Sequence, residues 1–208
     1  MIRYAARAVP WERVVLAAVL VVVLLELVRR WPWTMWPLEG AAVGLLAAAT
    51  GWCFDERSAA VVDAAPRGLV WRTAARASGV AVLLAAWGVG LWIARDSLFD
   101  HTGHVAAQGV AAVLAAAAWC CWRRSAGEPG PGSALALAVL PACTAWALVR
   151  PLSGSLPVFP YADGSADYGN WDTSLAGWSV LATAAIVLLA AALADARWRR
   201  RPTATARH

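Results

Sequence analysis

The chain has 208 residues, of which 61% are hydrophobic and 15% are charged. Soluble domains average about 45–50% apolar and about 25% charged residues, and a chain this short cannot bury such a surplus in a water-soluble core. The composition therefore excludes a soluble enzyme, a disordered regulator and a disulfide-held secreted domain. The net charge of +5 comes from 18 arginines without any lysine. Most of them flank apolar runs, which favours a role in membrane orientation over nucleic-acid binding.

Six apolar stretches along the chain are candidates for helices that cross the hydrocarbon core. They cover residues 14–28, 36–54, 78–94, 105–122, 134–150 and 175–194. Backbone polar groups must be paired within lipid, so we expect each stretch to be an α-helix. The sequence predicts an all-α, polytopic helical bundle that forms a single transmembrane domain over residues 1–208.

The distribution of arginine predicts how this bundle is oriented, because short cytoplasmic loops are enriched in basic residues. With the N-terminus inside, four arginines fall in outer segments: Arg29, Arg30, Arg95 and Arg150. The other 14 of the 18 fall in cytoplasmic segments: Arg3, Arg7, Arg13, Arg57, Arg67, Arg72, Arg76, Arg123, Arg124, Arg197, Arg199, Arg200, Arg201 and Arg207. Both termini are therefore predicted to be cytoplasmic, in a bacterial plasma membrane.

Glu26 is a carboxylate within the first apolar run, where a charge is costly. Arg29 and Arg30 follow three and four positions later, which places them on the same helix face. We expect an ion pair between Glu26 and these arginines. A substrate or proton route is the alternative.

Small residues recur at four-residue spacing in the second span, at Gly40, Gly44 and Ala48. This spacing lets two helix backbones approach closely. We expect it to serve packing within one bundle, and a dimer contact is the alternative. The four cysteines form no CxxC pair, and we expect no disulfide.

The predicted cytoplasmic loop at residues 55–77 has a charge pattern typical of a short helix on the membrane surface. Asp55 and Glu56 suit the positive end of a helix dipole, and Pro66 ends a helix of about ten residues. Pro66 also suits the first position of a further helix that runs through Arg72 and Arg76 into the third span. One interpretation is a connector that its arginines hold to anionic lipid.

The other interpretation comes from a resemblance. Six spans, a basic N-terminus, this short helix and a long outer loop between spans five and six resemble an ABC-2-type transporter permease. The segment Phe54-Asp55-Glu56-Arg57, with Asp63-Ala64-Ala65-Pro66-Arg67 and Arg72, also resembles small membrane subunits of actinobacterial ABC transporters. The resemblance implies a coupling helix that docks on a cytoplasmic ATPase through Asp55, Glu56, Arg57, Asp63, Pro66, Arg67 and Arg72. It also implies alternating access, driven by ATP that the other chain hydrolyses.

Two outer segments hold further candidate residues. The first carries Asp96, Asp100, His101 and His104, whose side chains are suitable zinc or copper ligands. We expect a solvated turn there, and a metal site is the alternative. The second is the outer loop at residues 151–174, which carries Phe159, Tyr161, Tyr168 and Trp171. This loop is predicted to be an ordered lid, with recognition of an exported substrate or partner as the alternative. Asp172 or Thr173 is predicted to start the sixth helix.

The chain contains no phosphate-binding glycine loop, nucleophile elbow or zinc-protease motif, so we expect neither an enzyme nor a resident cofactor. The first hypothesis is a permease or accessory subunit of an ABC-type export complex. Its partners are then membrane lipid, a cytoplasmic ABC ATPase and a second transmembrane subunit, without nucleic acid. The second hypothesis is a structural membrane subunit that transports nothing. The third is an extracytoplasmic metal-binding membrane protein.

Overall fold

The computed structural model describes residues 7–56, 69–150, 157–160 and 169–198. These residues form helices joined by turns, and no β-strand occurs among them. The helices are α1 (Trp11–Arg30), α2 (Pro32–Met35), α3 (Leu38–Phe54), α4 (Leu69–Ala94), α5 (Thr102–Ser125), α6 (Pro131–Val149) and α7 (Gly169–Trp198), with a short 3-10 helix at Arg95–Ser97. The all-α prediction is thus confirmed for the described part of the chain.

Prolines mark several of the helix boundaries. Pro10 precedes α1, and Pro32 follows its end and occupies the first turn of α2. Pro131 is likewise the first residue of α6. Proline is favoured at a first helical position because its ring fixes a helical φ and its missing N–H would have no partner there. These residues explain why long apolar runs break into separate helices.

The six expected spans coincide with α1, α3, α4, α5, α6 and α7, with differences at their ends. Trp36 lies in the turn before α3, and Arg150 follows α6 in a left-handed conformation with φ 50°. The prediction that Asp172 or Thr173 starts the last helix is wrong, because α7 already includes Gly169. The prediction that a helix runs through Arg72 and Arg76 into the third span is confirmed by α4.

Four of these helices are long and apolar enough to cross a membrane: Leu69–Ser97, Thr102–Ser125, Pro131–Val149 and Asn170–Ala194. Their outward faces carry large apolar side chains, among them Leu137, which is 81% exposed, and Val180, which is 70% exposed. Water-soluble surfaces rarely expose such residues over continuous areas. The protein therefore has the character of a membrane-embedded helical bundle.

Helix α3 forms the centre of the bundle and contacts α1, α4, α5 and α6. Nearly all its side chains are buried, and most are small. Helix α7 packs mainly against α5, and α6 packs mainly against α3. Helices α6 and α7 scarcely touch each other, which leaves a cleft between them.

The glycines of α3 allow α6 to approach closely. A Cβ atom on Gly44 would lie 2.8 Å from Cβ of Cys143, and one on Gly51 would lie 3.1 Å from the backbone of Gly132. A Cβ on Gly40 would collide with Ala147. Larger side chains would force the two helices apart, so these small residues serve packing within one bundle, as expected from their spacing.

Candidate functional site

The most strongly charged site in the described structure surrounds the carboxylate of Glu56. Its Oε2 accepts hydrogen bonds from Nη1 of Arg72 at 2.9 Å and from Nη2 of Arg124 at 2.6 Å. Nη2 of Arg76 lies 3.2 Å from Oε1. All four side chains are buried. We call Glu56, Arg72, Arg76 and Arg124 the arginine cluster, and the end of the bundle that contains it the arginine end.

The arginine cluster connects three helices. Arg72 and Arg76 lie one turn apart on α4, and Arg124 lies at the end of α5. Nη1 of Arg76 also donates to the carbonyl oxygens of Cys53 at 3.2 Å and Asp55 at 2.7 Å, at the end of α3. The last carbonyl groups of a helix have no partner within it, and a cation there is favoured by the helix dipole.

Asp55 connects this cluster to a fourth helix. Its Oδ1 accepts a hydrogen bond from the backbone N–H of Gly132 at 2.6 Å, and its Oδ2 accepts one from the Ser133 hydroxyl at 2.5 Å. Both donors belong to the first turn of α6, whose own N-cap residue, Gly130, provides no side-chain cap. Asp55 therefore caps α6 from a distant position in the chain and places a negative charge at its positive end.

Three of the predicted ATPase contacts are thus engaged within this chain. Asp55, Glu56 and Arg72 form internal contacts, so their charges hold the arginine end together. The other predicted contacts, together with the predicted surface helix, lie outside the described residues: Arg57, Asp63, Pro66 and Arg67.

The opposite end of the bundle, which we call the histidine end, is built around Trp171. Its ring stacks on His101, with ring centroids 4.0 Å apart and planes 8° apart, and meets His104 edge-on at 5.6 Å. Nε2 of His104 lies 3.6 Å from Oδ1 of Asp172. Trp36 also meets Trp171 edge-on, with ring centroids 6.1 Å apart. These contacts join the start of α7 to the start of α5 and to the turn before α3.

The carboxylates proposed as metal ligands do not join the histidines on one helix face. Asp100 has a left-handed conformation with φ 64°, and α5 begins only at Thr102, so Asp96, Asp100 and His104 do not follow one helical repeat. Within the described residues, no group of three or more His, Cys, Asp and Glu side chains could hold a metal ion. Burial and the nearby His104 lower the pKa of His101.

Two of the four aromatic candidates for outer-loop recognition pack inside the protein. Phe159 is 3% exposed and contacts the ring of Trp178, and Trp171 is 4% exposed within α7. Neither side chain can form a recognition surface in this state. Tyr161 and Tyr168 lie outside the described residues.

The ion pair predicted at Glu26 is present. Arg29 donates to both carboxylate oxygens of Glu26 at 2.7 Å, and Nε of Arg30 donates to Oε1 at 3.0 Å. Glu26 is thus held by two arginines on the same helix face. This geometry matches the structural interpretation of the residue.

Sequence reasoning overlooked several buried polar side chains. Glu39 is fully buried and accepts a hydrogen bond from Nε1 of Trp36 at 3.1 Å. Its Oε1, both polar atoms of the Gln108 side chain and Nε1 of Trp87 have no hydrogen-bond partner among the described residues. The i, i+3 spacing of Trp36 and Glu39 is the local signal that could have indicated their contact.

Comparison with known proteins adds no family assignment: no family model, curated protein or solved structure matches the chain.

Proposed function

We propose that six helices, α1 and α3 to α7, cross a bacterial plasma membrane with both termini in the cytoplasm. Helix α3 has 17 residues, a length of about 26 Å, which is close to the roughly 30 Å hydrocarbon core. Helix α1 has an apolar centre between charged ends. The arginine end faces the cytoplasm in this arrangement, in agreement with the enrichment of arginine in inner loops.

We further propose that the chain is a transmembrane subunit of an ABC-type export complex, coupled to a separate ATPase through the loop between α3 and α4. The observation that supports this proposal is the arginine cluster, with Asp55 beside it. Both ends of the loop are held at the arginine cluster, because Asp55 and Glu56 precede the loop and Arg72 follows the loop. A force on the loop is therefore transmitted to α3, α4, α5 and α6 together.

The chain acts in this proposal as an accessory subunit beside another transmembrane chain. The centre of the bundle is filled by α3, whose small side chains pack closely against α6. A route for an exported molecule then lies between this bundle and its neighbour. Alternating access would move the bundle as a unit.

Affinity purification of the tagged chain in mild detergent tests the coupling. We expect an ATPase to copurify in fixed stoichiometry and to be lost in Arg57→Glu and Arg67→Glu. Arg207→Glu makes the same charge change near the C-terminus and should retain the ATPase. Asp55 is unsuitable for this test, because its substitution removes the cap of α6. Absence of an ATPase from every preparation would refute the proposal.

The second candidate is a structural subunit that holds a larger membrane complex together without taking part in transport. The close contact between α3 and α6 favours it, because it resists rearrangement of these two helices and a scaffold does not need to rearrange. Copurification of another membrane protein without an ATPase, unaffected by Arg67→Glu, would support this candidate over the first.

A reporter fused to the C-terminus tests the orientation on its own. We expect alkaline phosphatase fused after His208 to be inactive and a fluorescent protein at the same site to be bright. The opposite result would place the loop between α3 and α4 outside the cell, away from any nucleotide, and both the orientation and the ATPase coupling would fail.

A further inference from the structure

An apolar cleft separates α6 from α7. Its volume is about 440 Å³, and its floor is formed by α5 and by Ala47 of α3. Val139 lines it from α6, and Trp178 and Leu188 line it from α7. Every lining side chain is alanine, valine, leucine, cysteine or tryptophan. An occupant of this cleft therefore has to be hydrocarbon, since an unpaired polar group would be costly there.

The cleft is too short to enclose a whole transmembrane helix, which spans roughly 30 Å of hydrocarbon. Its lining on α7 extends from Trp178 to Leu188, a rise of about 15 Å. This length equals the depth of one leaflet, half of the roughly 30 Å core. A single acyl chain is slim enough and of suitable length.

The cleft extends towards the arginine end, and the guanidinium of Arg123 lies beside it there. Trp119 lines the cleft, and the guanidinium of Arg123 lies one turn further along α5, 5.6 Å from the Trp119 ring centroid. Nε of Arg123 contacts Glu128, and the side chain is 43% exposed. Arginine and tryptophan side chains at the membrane–water interface are the usual partners of a lipid headgroup.

We propose that this cleft binds one acyl chain of an anionic phospholipid of the cytoplasmic leaflet, with the lipid phosphate at Arg123. The proposal rests on the orientation given above and is independent of the ATPase coupling. The lipid fills the space between α6 and α7 and thereby completes the bundle.

Native mass spectrometry of the detergent-purified chain, titrated with dioleoyl phosphatidylglycerol, tests the proposal. We expect one retained lipid per chain. Ala184→Phe fills the cleft from an exposed lining position of α7 and should weaken retention about tenfold, as expected when about two methylene groups lose their contacts. Ala190→Phe is the matched control, because Ala190 is an exposed alanine of the same helix outside the lining. It should retain the lipid as the original chain does.

Two further variants separate the parts of the proposal. Ala115→Phe fills the cleft from α5 and repeats the test if Ala184→Phe fails to fold. Arg123→Gln should weaken retention of phosphatidylglycerol about tenfold, as the loss of a charged contact predicts. It should weaken retention of phosphatidylcholine less, because the choline cation of that lipid already compensates the phosphate charge. Equal retention of phosphatidylglycerol by every folded variant would overturn the proposal. So would a dimer that Ala184→Phe dissociates, because a second copy would then be the occupant. A C-terminus outside the cell would remove the cytoplasmic-leaflet assignment alone.

Discussion

Substitution of Glu56 by glutamine should be among the most destabilising single changes in the described structure. Glutamine keeps the size of the side chain but removes the negative charge between three guanidinium groups, each within 3.2 Å of a carboxylate oxygen. Removal of one partner from a buried ion pair costs about 3–5 kcal/mol. For a chain of this length, that loss corresponds to a Tm lower by roughly 6–20 °C.

Thermal unfolding in detergent, followed by tryptophan fluorescence, measures this change. Asp96→Asn is the matched control, because Asp96 is 88% exposed and pairs with Arg95 at 3.4 Å. An exposed pair contributes about 0–1 kcal/mol, so the control should leave the Tm nearly unchanged. Arg124→Gln combined with Glu56→Gln should lower the Tm by less than the sum of the two single changes, because the two side chains interact directly.

Two results would refute this reasoning. If Glu56→Gln lowered the Tm no more than Asp96→Asn does, the buried carboxylate would not be the element that holds the arginine end together. If the effects of Glu56→Gln and Arg124→Gln were additive, the two residues would not be coupled in the folded protein.

Three further predictions use the same Tm assay. Asp55→Ala should cost about 1–2 kcal/mol through loss of the cap of α6, and an unchanged Tm would contradict that role. Gly132→Ala should cost about 1–3 kcal/mol, because its Cβ would collide with the backbone of Gly51, whereas Gly88→Ala, with open space around it, should be neutral or stabilising. Because the pKa of His101 is lowered in the folded state, stability should be complete above the unfolded value of about 6.5 and fall as the pH drops below it. His101→Gln should reduce this loss, and an identical pH profile would contradict the prediction.

The helices and their approximate limits were predictable because their signal is local. A run of apolar residues between prolines or charges is a property of neighbouring positions, and the pair formed by Glu26 and Arg29 follows from one helical turn. Local patterns also indicated that α4 extends towards the loop through Arg72.

The partners of charged residues were not predictable because they depend on how distant helices pack. Asp55 precedes a loop, yet it caps α6, which begins 76 residues later. Glu56 meets Arg124 across 68 residues. The same limit applies to Phe159 and Trp171, the candidates for the alternative of a recognition surface, since burial of an aromatic side chain is decided by the neighbours that cover it.

The central position of α3 determines the order in which the bundle can be completed. Helices α1 and α3 are synthesised before α4, α5 and α6, because they precede them in the chain. The glycine positions of α3 therefore lack their packing partner until α6 has been made. Packing of α6 on α3 also brings the capping donors of Gly132 and Ser133 to Asp55, so the close contact between the two helices and the closure of the charged end form together.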